Sequence, residues 1–296
     1  FAVIAQSHLD SGSPARLHLI SVERHPIAQH EFATLARRRC ARLPIYHQLA
    51  RAYPAALPGW HRRHLAGGRI TLSVFFGDGL AGLGDIVDRQ QRVVDAWLLD
   101  GFAPDRNPKL WSDALWRTIA YLSGRGTTMA TFSAVGDVRR ALASVGFSMR
   151  KIDQRPHKLH SLAGVFTDAR STEQAADRTY ARSVVVIGGG LAGAATARHL
   201  ADRGVRVTIL DASPEPPNRL AATLFHPRLL PDGGQASRLR SHGYLYSSHW
   251  YDADHRSAQP TGVLQFPSAS LPARRLEEAA DQYASSGDWV MAIDAG

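Results

Sequence analysis

The chain has little cysteine, little lysine and no long apolar run. Cys40 is the one cysteine among 296 residues, so an intramolecular disulfide and a cysteine-based zinc site are excluded. The most apolar stretch, 183–200, is interrupted by glycines and by Arg198, and no run approaches the roughly 20 residues that span a bilayer. The start of the chain does not look like a signal peptide. We therefore expect a cytoplasmic protein without membrane or metal partners.

The remaining composition is that of a globular protein, with 44% hydrophobic and 21% charged residues. At about 150 residues per domain, the length predicts two domains. The first residue is Phe1 rather than methionine, and Gly296 follows the apolar run 289–293, which is predicted to be a strand. Both ends therefore interrupt predicted structure, and we expect a fragment of a longer protein.

The positive charge is concentrated in the first half. Residues 1–170 have a net charge of +10, because they hold 23 cations and 13 anions, whereas residues 171–296 have a net charge of −1. Of all 35 cations, 32 are arginine. A basic region beside a neutral one is typical of a polyanion-binding module joined to a small-molecule module. An organism that prefers arginine on solvated surfaces would give the same composition.

The order of predicted elements indicates an α/β fold. Strands and helices alternate in the first half, as in a doubly wound sheet, and two successive strands predict a closing hairpin. The predicted strands are 16–23, 69–76, 93–99, 126–132, 147–152 and 160–166, and the predicted helices are 29–39, 107–122 and 136–145. The nearly continuous apolar run 93–99 predicts a strand covered on both faces. The polar stretch 168–182 is predicted to be a linker.

A glycine motif opens the second half. Gly188, Gly190 and Gly193 follow a β-branched strand, 183–187, and precede a predicted helix, 191–203, which is the context that a dinucleotide fingerprint requires. The three glycines would allow a tight turn, the approach of a pyrophosphate and close helix packing. Asp211 ends the next strand, 205–210, where a carboxylate accepts a hydrogen bond from a ribose hydroxyl. The motif does not separate FAD from NAD, but Asp211 would repel the extra phosphate of NADP.

Three carboxylates of the first half follow predicted strands. Glu23, Asp78 and Asp100 lie at carboxyl ends, where open α/β sheets bind their ligands. For a nucleoside cofactor, Glu23 would hold the ribose, Asp78 would lie near the adenine and Asp100 would face the reacting group. Acids at strand ends also commonly cap the next helix.

The segment around Asp100 carries a resemblance to a known family. Residues 95–104 (DAWLLDGFAP), followed by Asn107, Pro108 and Trp111, resemble the methyltransferase domain of the MnmC family of bifunctional tRNA-modification proteins. The glycine fingerprint after a short linker is similar to that family's second domain, an FAD-dependent oxidoreductase. The resemblance implies two Rossmann-like doubly wound domains, the second truncated. These are a class I methyltransferase-like domain over 1–168, a linker over 169–182 and an FAD-binding domain over 183–296.

The resemblance also implies an activity. FAD would serve the oxidative removal of a carboxymethyl group from a wobble uridine of tRNA, and S-adenosylmethionine would then methylate the aminomethyl group. Glu23 and Asp78 would hold S-adenosylmethionine, Asp100 would lie beside the amine, and the glycines with Asp211 would hold FAD. Residues expected to contact the substrate are Phe102, Trp111, Arg139, Arg140 and Lys158. The family's Arg-Lys-Arg-Glu run is replaced here by residues 157–160 (HKLH), of which Lys158 alone is retained.

Two other readings fit the same residues. One is an FAD- or NAD-linked oxidoreductase that acts on a free amine or amino acid and is fused to an inactive Rossmann-like domain. The other is a non-catalytic tRNA-binding fragment. Binding of tRNA would separate the first of these from the other readings, and methylation of aminomethyluridine would separate an enzyme from a scaffold.

Overall fold

The structure is a computed structural model that describes most of the chain. The described residues are 1–88, 94–101, 111–156, 158–168, 182–213, 224–227, 229–252, 261–269, 271–284 and 289–293. They form two compact units, Phe1–Gly77 with Ala181–Gly296, and Asp78–Tyr180. The predicted linker 169–182 lies almost entirely outside the described residues, so the predicted domain boundaries stay a prediction.

The first unit begins with a three-stranded sheet and three helices. Its first elements are α1 (Ala2–Asp10), β1 (Leu17–Glu23), α2 (Gln29–Arg39), α3 (Ile45–Ala52), β2 (Gly59–Leu65) and β3 (Ile70–Phe76). β3 lies in the centre, parallel to β1 and antiparallel to β2. The predicted bounds of α2 are confirmed, and β1 and β3 each begin one residue later than predicted.

Alternation of apolar residues in β3 builds the core of this sheet. Ile70, Leu72, Val74 and Phe76 are buried at every second position, as expected for a half-buried strand. The buried residues of α2 and α3 pack into the same cluster; they are Phe32, Ala36, Ile45, Leu49 and Ala52. The i, i+4 spacing in both helices produces this single apolar face.

The rest of the first unit contains the glycine motif. Its elements are β8 (Ser183–Ile187), α7 (Leu191–Ala201), β9 (Arg206–Leu210), α8 (Gln235–Asp252) and α9 (Ala273–Ala284). β8 and β9 are parallel and form a two-stranded sheet, with Ile187 opposite Leu210. Tyr283 of α9 is buried, and its hydroxyl lies 3.1 Å from Ser237 Oγ and 2.8 Å from Ser241 Oγ of α8.

The second unit is a four-stranded sheet with three helices. Its elements are α4 (Gly79–Val87), β4 (Val94–Leu99), α5 (Asp113–Leu122), β5 (Ser123–Thr131), α6 (Gly136–Ser144), β6 (Phe147–Gln154) and β7 (Lys158–Phe166). The strand order is β4-β5-β7-β6, and the antiparallel pair β6–β7 confirms the predicted hairpin. Trp116, Ile119, Leu142 and Phe147 are among the buried residues of its core.

Two predictions about strands are wrong. The strand predicted over 93–99 is found as β4 but is not covered on both faces, because Asp95, Ala96 and Leu98 are exposed, Leu98 to 56%. No strand forms over the described residues 289–293. Trp289 instead packs edge-on against Tyr283, with ring centroids 5.1 Å apart, so apolar character there reflects a ring contact rather than strand pairing.

Two features are absent from the described part of the chain. Among its helices, none is long and apolar enough to cross a bilayer. Its histidine, cysteine, aspartate and glutamate side chains do not come together in any group of three suited to a metal ion.

Candidate functional site

The glycine turn between β8 and α7 has the backbone geometry that the sequence predicts. Gly188 adopts a φ of +97°, which side chains disfavour, and its N–H donates to the carbonyl of Leu210 over 2.7 Å. This bond joins the end of β8 to the end of β9, so the turn is tied to both strands. α7 then begins after Gly190, and the first N–H groups of the helix have no acceptor within the helix.

Two glycines of the motif lie in different surroundings. A Cβ on Gly193 would lie 1.8 Å from the carbonyl oxygen of Gly188, so only glycine allows α7 to pack this closely on the turn. A Cβ on Gly190 would meet no atom of another described residue within 4 Å, its neighbours along the chain aside. Gly193 is thus required by the fold itself, whereas the space beside Gly190 is open for a ligand at the helix N-terminus. These residues fit the pyrophosphate of a dinucleotide.

Asp211 lies over the same turn. Its carboxylate accepts hydrogen bonds from the N–H of Ser213 over 2.8 Å and from the N–H of Gly189. These two bonds, the first the stronger, hold the pKa of the exposed Asp211 carboxyl below its usual value. The carboxylate therefore remains ionised and fixed at the end of β9, as the predicted ribose contact requires.

Glu23 lies at the carboxyl end of β1, beside a cavity of the first unit. Its exposed carboxylate accepts a hydrogen bond from the N–H of His25 over 2.8 Å. The cavity has a volume of about 210 Å³, and its lining includes Glu23, Tyr53 and Phe76. Burial, together with the negative charge of Glu23, raises the pKa of Tyr53 to about 12. A carboxylate at the edge of a mostly apolar cavity suits a ligand with both a hydroxyl-bearing part and a flat apolar part.

Asp78 of the second unit caps a helix. Its Oδ1 accepts hydrogen bonds from the N–H groups of Leu80 over 3.0 Å and Ala81 over 3.3 Å, at the first turn of α4. This is the common alternative role of an acid at a strand end. Since both bonds use Oδ1, capping does not conflict with a contact through Oδ2, and the predicted cofactor role of Asp78 stays a prediction.

Asp100 follows β4 directly and is exposed. Its neighbour Phe102 lies outside the described residues, as does the stretch to residue 110. Trp111 is half-buried and packs against Trp116 with ring centroids 5.8 Å apart, at the edge of the second unit's core. The Trp111 ring therefore has a structural contact besides its predicted contact with the substrate, while the Asp100 carboxylate is open to solvent.

The predicted basic contacts lie on α6 and β7. Arg139 and Arg140 are both exposed on α6, and Arg140 forms an ion pair with Asp137 one turn earlier. Lys158 begins β7, and its side chain is outside what the structure describes. The contact of these residues with a nucleic acid therefore stays a prediction.

Four histidines and a tyrosine, which the sequence did not single out, meet in the first unit. They are His61, His64, His199, His242 and Tyr246, here called the histidine cluster. The Tyr246 hydroxyl lies 3.3 Å from Nε2 of both His64 and His199, and the rings of His61 and His242 are 4.8 Å apart. The cluster joins β2 to α7 and α8. The sequence signal that could have pointed to the cluster is the alternation in β2 (GWHRRHL), which buries His61.

Burial sets the charge state of this cluster. It lowers the pKa of His61 to about 3, although the imidazole Nε2–H donates to the Leu57 carbonyl over 2.6 Å. Burial and the nearby Arg203 lower the pKa of His64 to about 4. Both rings are therefore neutral near pH 7, which allows His61 to pack on His242 and His64 on His199 without repulsion from a charge of their own.

Comparisons with known proteins place two family segments on the chain. An S-adenosyl-L-methionine-dependent methyltransferase family matches residues 42–167, and an FAD dependent oxidoreductase family matches residues 183–294. Asp78 and Asp100 lie within the first segment, the glycine motif and Asp211 lie within the second, and Glu23 lies outside both.

Relatives are similar to this chain along most of its length. One is the tRNA 5-methylaminomethyl-2-thiouridine biosynthesis bifunctional protein MnmC of Chromobacterium violaceum, which is 40% identical over 79% of this chain and 36% of its own length. The protein of the same name from Paraburkholderia xenovorans is 36% identical over 97% of this chain and 45% of its own length. The chain therefore spans less than half the length of these two relatives.

Solved structures show weaker similarity. The crystal structure of MnmC2 from Aquifex aeolicus is 20% identical, with a TM-score of 0.40 over 54% of this chain and 48% of its own.

Proposed function

Because its two segments match a methyltransferase and an oxidoreductase family, and because it is similar to MnmC proteins, we propose that the chain is of the MnmC family and takes part in a two-step modification of the wobble uridine of tRNA. In the first step, the C–N bond of the carboxymethyl group in 5-carboxymethylaminomethyl-2-thiouridine would be oxidised by two electrons to an imine, and water would hydrolyse the imine to release glyoxylate. In the second, the 5-aminomethyl group that remains is methylated to 5-methylaminomethyl-2-thiouridine. The substrate is a tRNA, which agrees with the expected cytoplasmic location.

Gly188, Gly190, Gly193 and Asp211 would hold FAD in the first step. The open space beside Gly190 would take the pyrophosphate, and the fixed carboxylate of Asp211 would accept a hydrogen bond from the ribose. FAD, when bound, supplies the two-electron oxidation of the substrate's C–N bond. The protein's own part is to hold the dinucleotide along the end of β8 and β9.

Glu23, Asp78 and Asp100 would serve the methylation. Glu23 would bind the ribose of S-adenosylmethionine at the edge of the cavity, and Asp78 would lie near its adenine. An ammonium cannot act as a nucleophile, so the exposed carboxylate of Asp100 would orient the amine and accept its proton as the new N–C bond forms and the C–S bond breaks. Phe102, Trp111, Arg139, Arg140 and Lys158 would contact the tRNA around the uridine.

One observation carries this proposal: the strand, glycine turn and helix of a dinucleotide site follow a methyltransferase segment in the same chain. An amine oxidase with an inactive first domain would not need Asp100, and a tRNA-binding scaffold would need neither Asp100 nor Asp211. The three readings therefore differ in what these two carboxylates do.

The test is transfer of a labelled methyl group to tRNA that carries 5-aminomethyl-2-thiouridine. We expect transfer by the chain, and a fall of about 100-fold or more in Asp100→Asn because the general base is lost. Flavin binding, followed by flavin fluorescence, should be the same in Asp100→Asn and in the parent chain. Equal methylation by both proteins would refute the role of Asp100, and tRNA binding without any methylation would favour the scaffold.

A further inference from the structure

The positive charge of the chain is concentrated in one short segment. Residues 32–77 hold eight arginines, no lysine and no acidic residue, whereas the remaining 250 residues hold 27 cations and 26 anions. Eight of the nine net positive charges therefore come from 46 residues. This segment contains most of α2, all of α3 and the two strands that follow.

Three of these eight arginines lie on or beside β2 and β3 and donate hydrogen bonds there. Arg63 is buried and donates to the carbonyls of Ala52 and Arg62, and Arg69 donates to the carbonyl of Ser13. Arg62 donates to the hydroxyl of Ser73. The other five are exposed on and after α2 and α3, and we call them the arginine surface; they are Arg37, Arg38, Arg39, Arg42 and Arg51.

The geometry of α2 turns its arginines outward. Phe32 and Ala36 form its buried face, so Arg38 points away from the core. The helical path continues beyond α2, because the N–H of Leu43 donates to the carbonyl of Arg39 over 3.0 Å. Arg42 therefore lies one turn beyond Arg38, on the same outward side.

α3 extends the surface. Ile45 and Leu49 form part of its buried face, and His47 and Arg51 are exposed one turn apart. The two helices share one core, in which Phe32 of α2 lies 6.2 Å from Tyr46 of α3 by ring centroids. One apolar core therefore holds two helices whose outward faces are basic.

Helix stability accounts for only part of this surface. Cations favour the last turn of a helix, which explains the three arginines at the end of α2 and Arg51 at the end of α3, but not Arg42. Elsewhere, some exposed arginines have a carboxylate beside them, as Arg155 has Asp153 and Arg274 has Glu278. Residues 32–77 offer no carboxylate at all. Positive charge that is not balanced locally attracts a polyanion.

The geometry points to the phosphate backbone of RNA as the ligand of the arginine surface, and we propose that it binds a stem of the tRNA. This inference rests on the proposed function, which supplies the tRNA. Guanidinium groups suit phosphate through their paired donors. A membrane surface fits less well, because the exposed side chains of α2 are polar or charged apart from Leu35, and an interfacial helix needs an apolar face.

The experiment compares two double variants of the chain that lose the same charge. Arg38→Gln/Arg42→Gln removes two residues of the arginine surface, whereas Arg155→Gln/Arg274→Gln removes two arginines that have carboxylate partners. The affinity for unmodified tRNA is measured from low to physiological salt. Each phosphate contact contributes about 0.7–0.9 to the slope of log affinity against log salt, so the first variant should lose about 1–2 from the slope and bind about 10-fold more weakly. The control should match the parent.

The outcomes separate this proposal from the proposed function. An unchanged slope in Arg38→Gln/Arg42→Gln, in a chain that still methylates tRNA, overturns the arginine surface and leaves the function standing. A reduced slope in a chain without methylation supports the surface and contradicts the function. Binding to phosphatidylglycerol vesicles that is lost in Arg38→Gln/Arg42→Gln, without any change in tRNA binding, would assign the surface to a membrane and overturn the proposal.

Discussion

Two strands of similar composition lie in opposite surroundings. In β3 (ITLSVFF) of the methyltransferase-like segment, Ile70 is fully buried beneath α2 and α3. In β8 (SVVVI) of the oxidoreductase-like segment, Ile187 is 88% exposed, yet the glycine turn that follows has its full geometry. The first strand is placed by distant residues that form a core. The turn after the second is specified by its own glycines and by Asp211.

The sharpest test of this contrast is a substitution within the turn. Gly193→Val would place a side chain against the Gly188 carbonyl, so α7 must move away from β8. We expect flavin binding to be lost and methylation of tRNA to persist, because Glu23, Asp78 and Asp100 are not part of the turn. Flavin fluorescence titration and methyl transfer measure the two effects.

Gly190→Ala is the matched control, since in the described part of the chain its Cβ would touch no other side chain or turn. It should leave the urea midpoint unchanged and weaken flavin binding about 10-fold, or about 1.4 kcal/mol, through the ligand alone. Flavin binding retained in Gly193→Val would mean that the turn is not specified locally, and the contrast between the two segments would fail.

The second prediction concerns the histidine cluster, where residues of both segments meet inside the first unit. His61 is neutral in the folded chain because burial lowers its pKa to about 3, against about 6.5 when unfolded. The unfolded chain therefore binds one more proton between these values. Stability is fully present above about pH 6.5 and falls as the pH drops towards 3, at up to about 1.4 kcal/mol per pH unit.

Urea unfolding at pH 7.0 and pH 5.0 checks the sign and the size. His61→Gln removes the titrating ring. Between pH 7.0 and pH 5.0 this variant should therefore lose less free energy of unfolding than the parent chain. His30→Gln, at an exposed position of α2, is the control and should follow the parent. An equal loss in His61→Gln would show that His61 does not contribute to the acid sensitivity.

The contrast also explains which parts were predictable from the sequence. The bounds of α2 follow from the Phe32 and Ala36 spacing, and the glycine turn follows from its motif, because both signals are local. β2 was missed because His61, Arg62, Arg63 and His64 do not look like a strand. Arg63 is tolerated inside because it donates to the carbonyls of Ala52 and Arg62. The fold brings those carbonyls close to Arg63, and the local sequence pattern does not show this.

The candidate site also has features that the sequence predicts and features that it does not. The positions of Glu23, Asp78 and Asp100 at strand ends could be predicted, because each directly follows an apolar run. The helix cap made by Asp78 and the packing of Trp111 on Trp116 depend on neighbours that the pattern does not identify. The histidine cluster was missed for the same reason, since its members are spread from residue 61 to residue 246.

The smallest expected effect separates the two roles of Asp78. Asp78→Ala removes the cap of α4 and should lower the free energy of unfolding by about 1 kcal/mol. Asp78→Ser keeps a capping hydroxyl and should leave stability within about 0.5 kcal/mol of the parent, but it removes the carboxylate. If Asp78 also binds the cofactor, both variants should raise the KM for S-adenosylmethionine. A normal KM in Asp78→Ser would reduce Asp78 to a helix cap, a locally specified feature like the glycine turn.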